Sequence, residues 1–115
     1  MARLLNEGES IRLRLSRLER LGALHVDVVV PRSSVTEMAA VPNGWAAVRG
    51  IRAPGTGLPR LILLGTTRGG FGRDFCAVRG RGPAVVVTLS GQPFERLVVS
   101  ASDPEDVIAT LRGQS

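Results

Sequence analysis

The sequence predicts one mostly β domain, a seven-stranded antiparallel barrel or sandwich with a short helix after its first strand and a C-terminal α-helix that caps it. Short runs rich in Val, Leu and Ile recur along the chain, and clusters of Gly, Pro, Asn and Ser separate them at regular intervals. That is the pattern of a small antiparallel β fold. The last segment changes to helical spacing. The 115 residues match a single domain over 1–115, with an ordered core expected at about 11–112.

Ile11, Leu13 and Leu15 alternate with Arg12, Arg14 and Ser16, which predicts a strand over 11–15 with one buried face. Ser16-Arg-Leu-Glu19 then forms a capping-box pattern with Gly22 placed to stop the turn, so a short helix is expected over 17–21. A single helix over 11–21 is the competing assignment, because Ile11, Leu15 and Leu18 also share helical spacing. The β-branched run 25–30 predicts a second strand that stops at Pro31, which lacks an amide donor. Ser33 and Ser34 supply turn chemistry before a third strand over 35–41, bounded by Pro42-Asn43-Gly44. Trp45 follows, and its indole is expected to plug one end of the core, with ligand stacking as the alternative.

Residues 52–59 combine Pro and Gly into an ordered, irregular loop that delivers a fourth strand over 61–64. The glycine-rich stretch 65–72 reads as a hairpin connection to a fifth strand over 73–78. A turn at 80–83, a sixth strand over 84–89, a loop at 90–93 and a seventh strand over 95–100 complete the series. The closing helix starts either with a capping box at Ser102 or with Asp103 as cap and Pro104 in its first turn. Val107, Ile108 and Leu111 then share an apolar face, and Glu105 and Asp106 sit at the positive end of the helix dipole.

All 15 basic residues are arginine, and lysine and tyrosine are absent. Between residues 49 and 81, Arg49, Arg52, Arg60, Arg68, Arg73, Arg79 and Arg81 face one acid, Asp74. Seven minus one makes this window +6, and the chain's net +5 leaves −1 for the rest. These arginines are the candidate anion-binding residues, able to attract phosphates, acidic proteins or anionic lipid headgroups if they converge in space. Spread over several faces, they are only solvated surface.

Catalytic chemistry has no visible constellation. His25 and Cys76 each stand alone, the acids are scattered, and a zinc site lacks its ligands. Gly65 to Gly70 has P-loop spacing without the Lys-Ser/Thr that reaches phosphate and magnesium, and Gly55-Thr-Gly57 fails at the third glycine of a dinucleotide fingerprint. Arg68-Gly69-Gly70 is a single RGG copy better explained by a hairpin. No cofactor is expected. The apolar runs fall short of a membrane span, the first residues carry no secretory pattern, and one cysteine cannot make an internal disulfide. A cytoplasmic protein, not integral to a membrane, is the expectation.

Several stretches carry a family likeness: Ser16-Arg-Leu-Glu-Arg-Leu-Gly22 leading to Val28-Val-Val-Pro31, then Arg52-Ala-Pro-Gly-Thr-Gly-Leu-Pro59, Gly65-Thr66, Arg73-Asp-Phe75, and Leu97-Val-Val-Ser100 before Asp103-Pro104-Glu105. Across 11–112 the chain resembles an actinobacterial family of stand-alone bacterial proteins with a pleckstrin-homology-like (PH-like) domain. The resemblance implies two near-orthogonal sheets plugged by a C-terminal helix, and often self-association. It implies no ligand and no catalytic residues. The segment between the first two expected strands mixes Arg17, Glu19 and Arg20, which departs from the basic loop of lipid-binding PH domains. The expected function is therefore a non-catalytic protein-interaction or scaffold module that forms homo-oligomers through sheet edges. The alternative is an anion-binding module built on the arginines of 49–81.

Overall fold

The computed structural model describes residues 2–15, 27–49, 51–52 and 62–113. The alternation read at 11–15 produces a strand, β2 (Ser10–Arg14), which hairpins with β1 (Arg3–Asn6) and pairs on its other side with β3 (Val28–Pro31), both antiparallel. Gly8 makes the hairpin turn at φ +79°, a conformation open to glycine and costly for most side chains. A 3₁₀ turn, Arg32–Ser34, carries the chain to a second sheet. That sheet contains β4 (Val35–Val41), β5 (Ile51–Arg52), β6 (Ile62–Gly69), β7 (Gly72–Arg79), β8 (Ala84–Leu89) and β9 (Arg96–Ser100), in the order β4-β8-β9-β7-β6-β5. Two helices complete the described chain, α1 (Gly44–Ala47) and α2 (Pro104–Leu111).

The small sheet turns Ile11, Leu13, Val28 and Val30 inward onto Phe75, Val85, Val87, Leu97 and Val99 of the large one. Phe75 meets Phe94 edge to face at 5.4 Å between centroids, and Ile108 and Leu111 of α2 close the same core. The opposite face of the large sheet buries Cys76, Val78, Val86 and Val98 beneath Val41, Trp45, Ala47 and Val48. Two-sided covering explains why the middle strands read as unbroken apolar runs such as Val85-Val86-Val87. Segment 43–48 lies so close that a Cβ on Gly44 would stand 2.7 Å from that of Ala84, which makes glycine necessary there.

The mostly β character, the two sheets and the C-terminal helix agree with the sequence reading. The seven-stranded, all-antiparallel arrangement does not describe the molecule. Nine strands form among the described residues, β7 runs parallel to β9, and the two sheets do not join into a closed barrel. The ordered structure also begins before residue 11, at β1. Strands β6 and β7 extend through most of the glycine-rich stretch taken for a connection, pairing as far as Gly69 with Gly72, because Thr66 and Thr67 favour extended backbone. The expected helix over 17–21, His25 and residues 53–60 lie outside the described residues.

Helix α2 starts as the second of the two caps. Asp103 accepts from the Asp106 amide at 3.2 Å, Pro104 occupies the first turn, and Glu105 and Asp106 face the dipole. Asp103→Ala is expected to lower stability by about 1 kcal/mol, while Asp103→Asn, which keeps the acceptor, stays close to wild type. Urea unfolding of the three proteins measures the difference.

Candidate functional site

Among the described residues, Arg49, Arg68 and Arg73 stand near the β6–β7 turn at one end of the large sheet, and Arg79 and Arg81 lie toward the other. Arg49 is committed to the back face of the large sheet, where it grips Asp74 with two bonds, Nε at 2.7 Å and Nη2 at 3.1 Å. Its guanidinium also lies 3.8 Å from the ring centroid of Phe71. Arg68 and Arg73 sit directly opposite each other at the β6–β7 turn, with Arg73 above Phe94 at 5.5 Å. Arg79 lies at the other end of β7, about 20 Å from Arg73 along the strand, and exposed Arg81 follows in the next turn. Arg52 pairs through its backbone with Thr67 on the edge strand β5. Arg60 lies outside the described residues.

Asp74 is fully buried and is shared by two cations, because Arg96 on the adjacent parallel strand β9 also reaches it at 3.0 Å. Arg96 in turn donates to the Ala47 carbonyl at 2.7 Å, which ties α1 to the sheet. Bonding to the carboxylate raises the affinity of the Arg49 guanidinium for its proton. Cys76, two residues along on the same face, is buried, and loss of solvation pushes its thiol up to about 12. A thiol held neutral is a poor nucleophile at ordinary pH. Thr67, opposite Asp74, is buried as well. The cluster has the composition of a reactive site and the connectivity of an internal brace. Among the described residues, no group of three or more His, Cys, Asp or Glu could hold a metal ion, and no helix is long and apolar enough to cross a membrane.

The accessible feature lies on the small sheet. Glu7 donates its amide to the Ser10 carbonyl, and Arg32 donates its amide to that of Glu9. Antiparallel alternation then points the main chain of residues 3, 5 and 7 toward β2 and that of Leu4 and Asn6 away from it, over an edge with no neighbouring strand among the described residues. Beside this edge runs a groove of two adjoining cavities, of about 490 Å³ and 440 Å³, which share Arg3, Leu4, Asp106 and Val107 in their walls. Asn6 holds the helix across the groove by donating from Nδ2 to the Thr110 carbonyl at 3.0 Å. The strand's outer face carries Arg3, Leu5 and Glu7. Arg3 stands directly opposite Arg14, like charges on adjacent strands with no counter-ion among the described residues, while Arg12 is neutralised by Glu7 at 2.9 Å and Asp27 at 3.5 Å.

Sequence reasoning missed this edge because Arg3-Leu-Leu-Asn6 shows no clear alternation and stands at a terminus, where order is least expected. Residues 7–10, Glu-Gly-Glu-Ser, are the available hairpin signal ahead of the strand read at 11–15. No protein-family model, curated protein or solved structure matches the chain.

The brace yields two expectations. Arg96→Met, which leaves a fully buried carboxylate with one cation, should cost about 3 kcal/mol. Arg49→Met should cost less, because the Arg49 side chain is 39% exposed against 18% for Arg96 and water screens it. Urea midpoints of the two variants test the order, and equal losses would contradict it. The second expectation concerns alkaline pH. With no lysine or tyrosine in the chain, Cys76 is the side chain that titrates between its ordinary value of 9.0 and about 12. In that window the unfolded chain loses the thiol proton and the folded chain keeps it, so stability should fall as pH rises above 9. Cys76→Ala should abolish the slope, read as the urea midpoint against pH.

Proposed function

We propose that this protein is a non-catalytic interaction module that assembles, its own copies included, by adding strands to the open edges of its sheets. The observation that carries the proposal is the edge of β1, with the outward main-chain groups of Leu4 and Asn6 beside an open groove. The other edges carry devices that oppose pairing. Edge strand β3 ends on Pro31, and β4 is broken by a register shift between Val35 and Glu37, while β5 comprises two described residues. On β1 the described residues include neither proline nor bulge.

A non-catalytic role is supported by the buried reactive groups, since Asp74 is engaged by two arginines and the Cys76 thiol is held protonated. The likeness to bacterial PH-like proteins belongs to the same proposal. A C-terminal helix in contact with β1, β4 and β8, and so with both sheets, favours it, and the parallel β7–β9 pair departs from it. A cytoplasmic setting is proposed with it, on the single buried cysteine.

Light scattering from the purified chain across micromolar concentrations should give a mass that rises with concentration above the 12.2 kDa of one chain. A constant monomer mass over the whole range would overturn self-assembly.

A further inference from the structure

The edge of β1 is complementary to itself in one register. Strand pairing through this edge must bond the residues of β1 whose main chains point outward, Leu4 and Asn6. Two antiparallel copies related by a two-fold axis can centre that axis on Leu4, Leu5 or Asn6. Only the axis at Leu5 pairs both residues with residues of the partner's β1, as Leu4 on the partner's Asn6 and Asn6 on the partner's Leu4, each pair exchanging two N–H···O bonds. An axis at Leu4 would instead set Asn6 against the partner's Ala2, which precedes the strand and is buried in the core. In the Leu5 register, Leu5 meets the partner's Leu5 at the axis, a half-buried apolar side chain on the outer face. Two residues further out, Arg3 lies opposite the partner's Glu7, and Glu7 opposite the partner's Arg3.

We propose that the protein forms a two-fold dimer by antiparallel β1–β1 addition with Leu5 on the axis, joining the two small sheets into one continuous sheet of six strands. This assignment rests on the edge-mediated assembly proposed above and names its partner as a second copy. Charge selects the occupant. In the single chain exposed Arg3 faces Arg14 without a counter-ion among the described residues, and the dimer places a carboxylate directly across from it, in a non-hydrogen-bonded pair where side chains approach most closely. Glu7 is 39% exposed even while bonded to Arg12, so it has room to take a second guanidinium. On the inner side, the groove wall formed by Asp106, Val107 and Thr110 leaves space along β1 for the incoming strand, whose Leu4 would lie toward Val107.

Leu5→Cys tests the register. Cβ atoms directly opposite in a non-hydrogen-bonded antiparallel pair stand about 4.5–5.5 Å apart, near the reach of a disulfide. The native Cys76 is buried and protonated and will not compete. Under mild oxidation the variant is expected to run as a covalent dimer on a non-reducing gel, while the same substitution at exposed Val29 gives none. Arg3→Glu and Glu7→Arg should each weaken the dimer about tenfold or more when alone, as read by light scattering. An equimolar mixture of the two variants should recover it, because each then meets a partner edge of opposite charge. Far-UV circular dichroism confirms that each variant is folded. A wild-type dimer that neither cross-links through position 5 nor responds to the charge exchange would overturn this assignment and leave edge assembly standing. A wild-type monomer at all concentrations would overturn both.

Discussion

The corner between the two sheets is held by one side chain, Arg32. It sits in the 3₁₀ turn that carries the chain from β3 to β4, and its guanidinium donates in three directions: to the Gly8 carbonyl at 2.7 Å in the β1–β2 turn, to Oδ1 of Asn6 on the edge strand, and to the Leu111 carbonyl at the end of α2. Each acceptor comes from a different element. A cation at a helix C-terminus also answers the dipole's negative end. With Asn6 donating back to the Thr110 carbonyl, the hairpin, the helix and the corner form one network. The groove beside β1 exists because this network fixes the helix against the inner face of the small sheet and leaves the strand's outer edge clear.

The second constraint is electrostatic and lies at the middle of the large sheet. A carboxylate with no access to water is stable only where cations and donors replace its hydration. Asp74 therefore dictates that Arg96 take the neighbouring position on β9 and that residue 49 return over the sheet's back face. The parallel β7–β9 pair is what brings Asp74 and Arg96 side by side. The same arrangement buries Cys76 and Val78 under Trp45 and Ala47. A site that looks reactive by composition is thus a fastening for the segment that covers the sheet.

Legibility followed how local each signal is. Strands 35–41 and 84–89 were readable to the residue, because Ser34 and Pro42 bound the first and the β-branched run Val85-Val86-Val87 sits between turn residues in the second, signals that are local to the chain. The helix cap at Asp103 was readable as one of two alternatives for the same reason. What escaped depends on contacts distant in sequence. Helix α1 is a single turn whose Asn43 cap accepts from the Ala46 amide at 3.3 Å, and its place is set by Gly44 lying on Ala84. Strand β5 is two residues that become a strand only beside Thr67 and Arg68. Strand order is equally silent in the sequence, so the expectation of an antiparallel barrel or sandwich did not include β9 inserted between β7 and β8 and parallel to β7. At the candidate site, the sequence located a real charge excess and not its disposition, since neighbours in the chain point to opposite faces of a strand and to opposite ends of a sheet.

An all-arginine basic complement makes that disposition matter more than the net charge does. Guanidinium is planar, always charged and carries five fixed donors, so it can anchor several acceptors at once where an ammonium acts as a point charge. Arg32, Arg49 and Arg96 work in this way, holding together parts of the chain far apart in sequence, and Arg12 bridges two carboxylates. Positive charge used so is answered inside the molecule only in part, since Asp74 is shared by two guanidinium groups and Arg32 meets neutral acceptors. The charges that can act on a partner are those left over, and their value depends on what stands next to them. Arg68 and Arg73 face each other across a turn, and Arg3 and Arg14 face each other across β1 and β2. Only the second pair borders the β1 edge with its outward main-chain groups, so there a single approaching strand meets directional hydrogen bonds and an unbalanced cation together. Hydrogen bonds alone would accept any extended chain, and charge alone any acid. In the proposed assembly, their coincidence on β1 would restrict the partner to an extended segment carrying a carboxylate in register with Arg3, a description that β1 itself satisfies through Glu7.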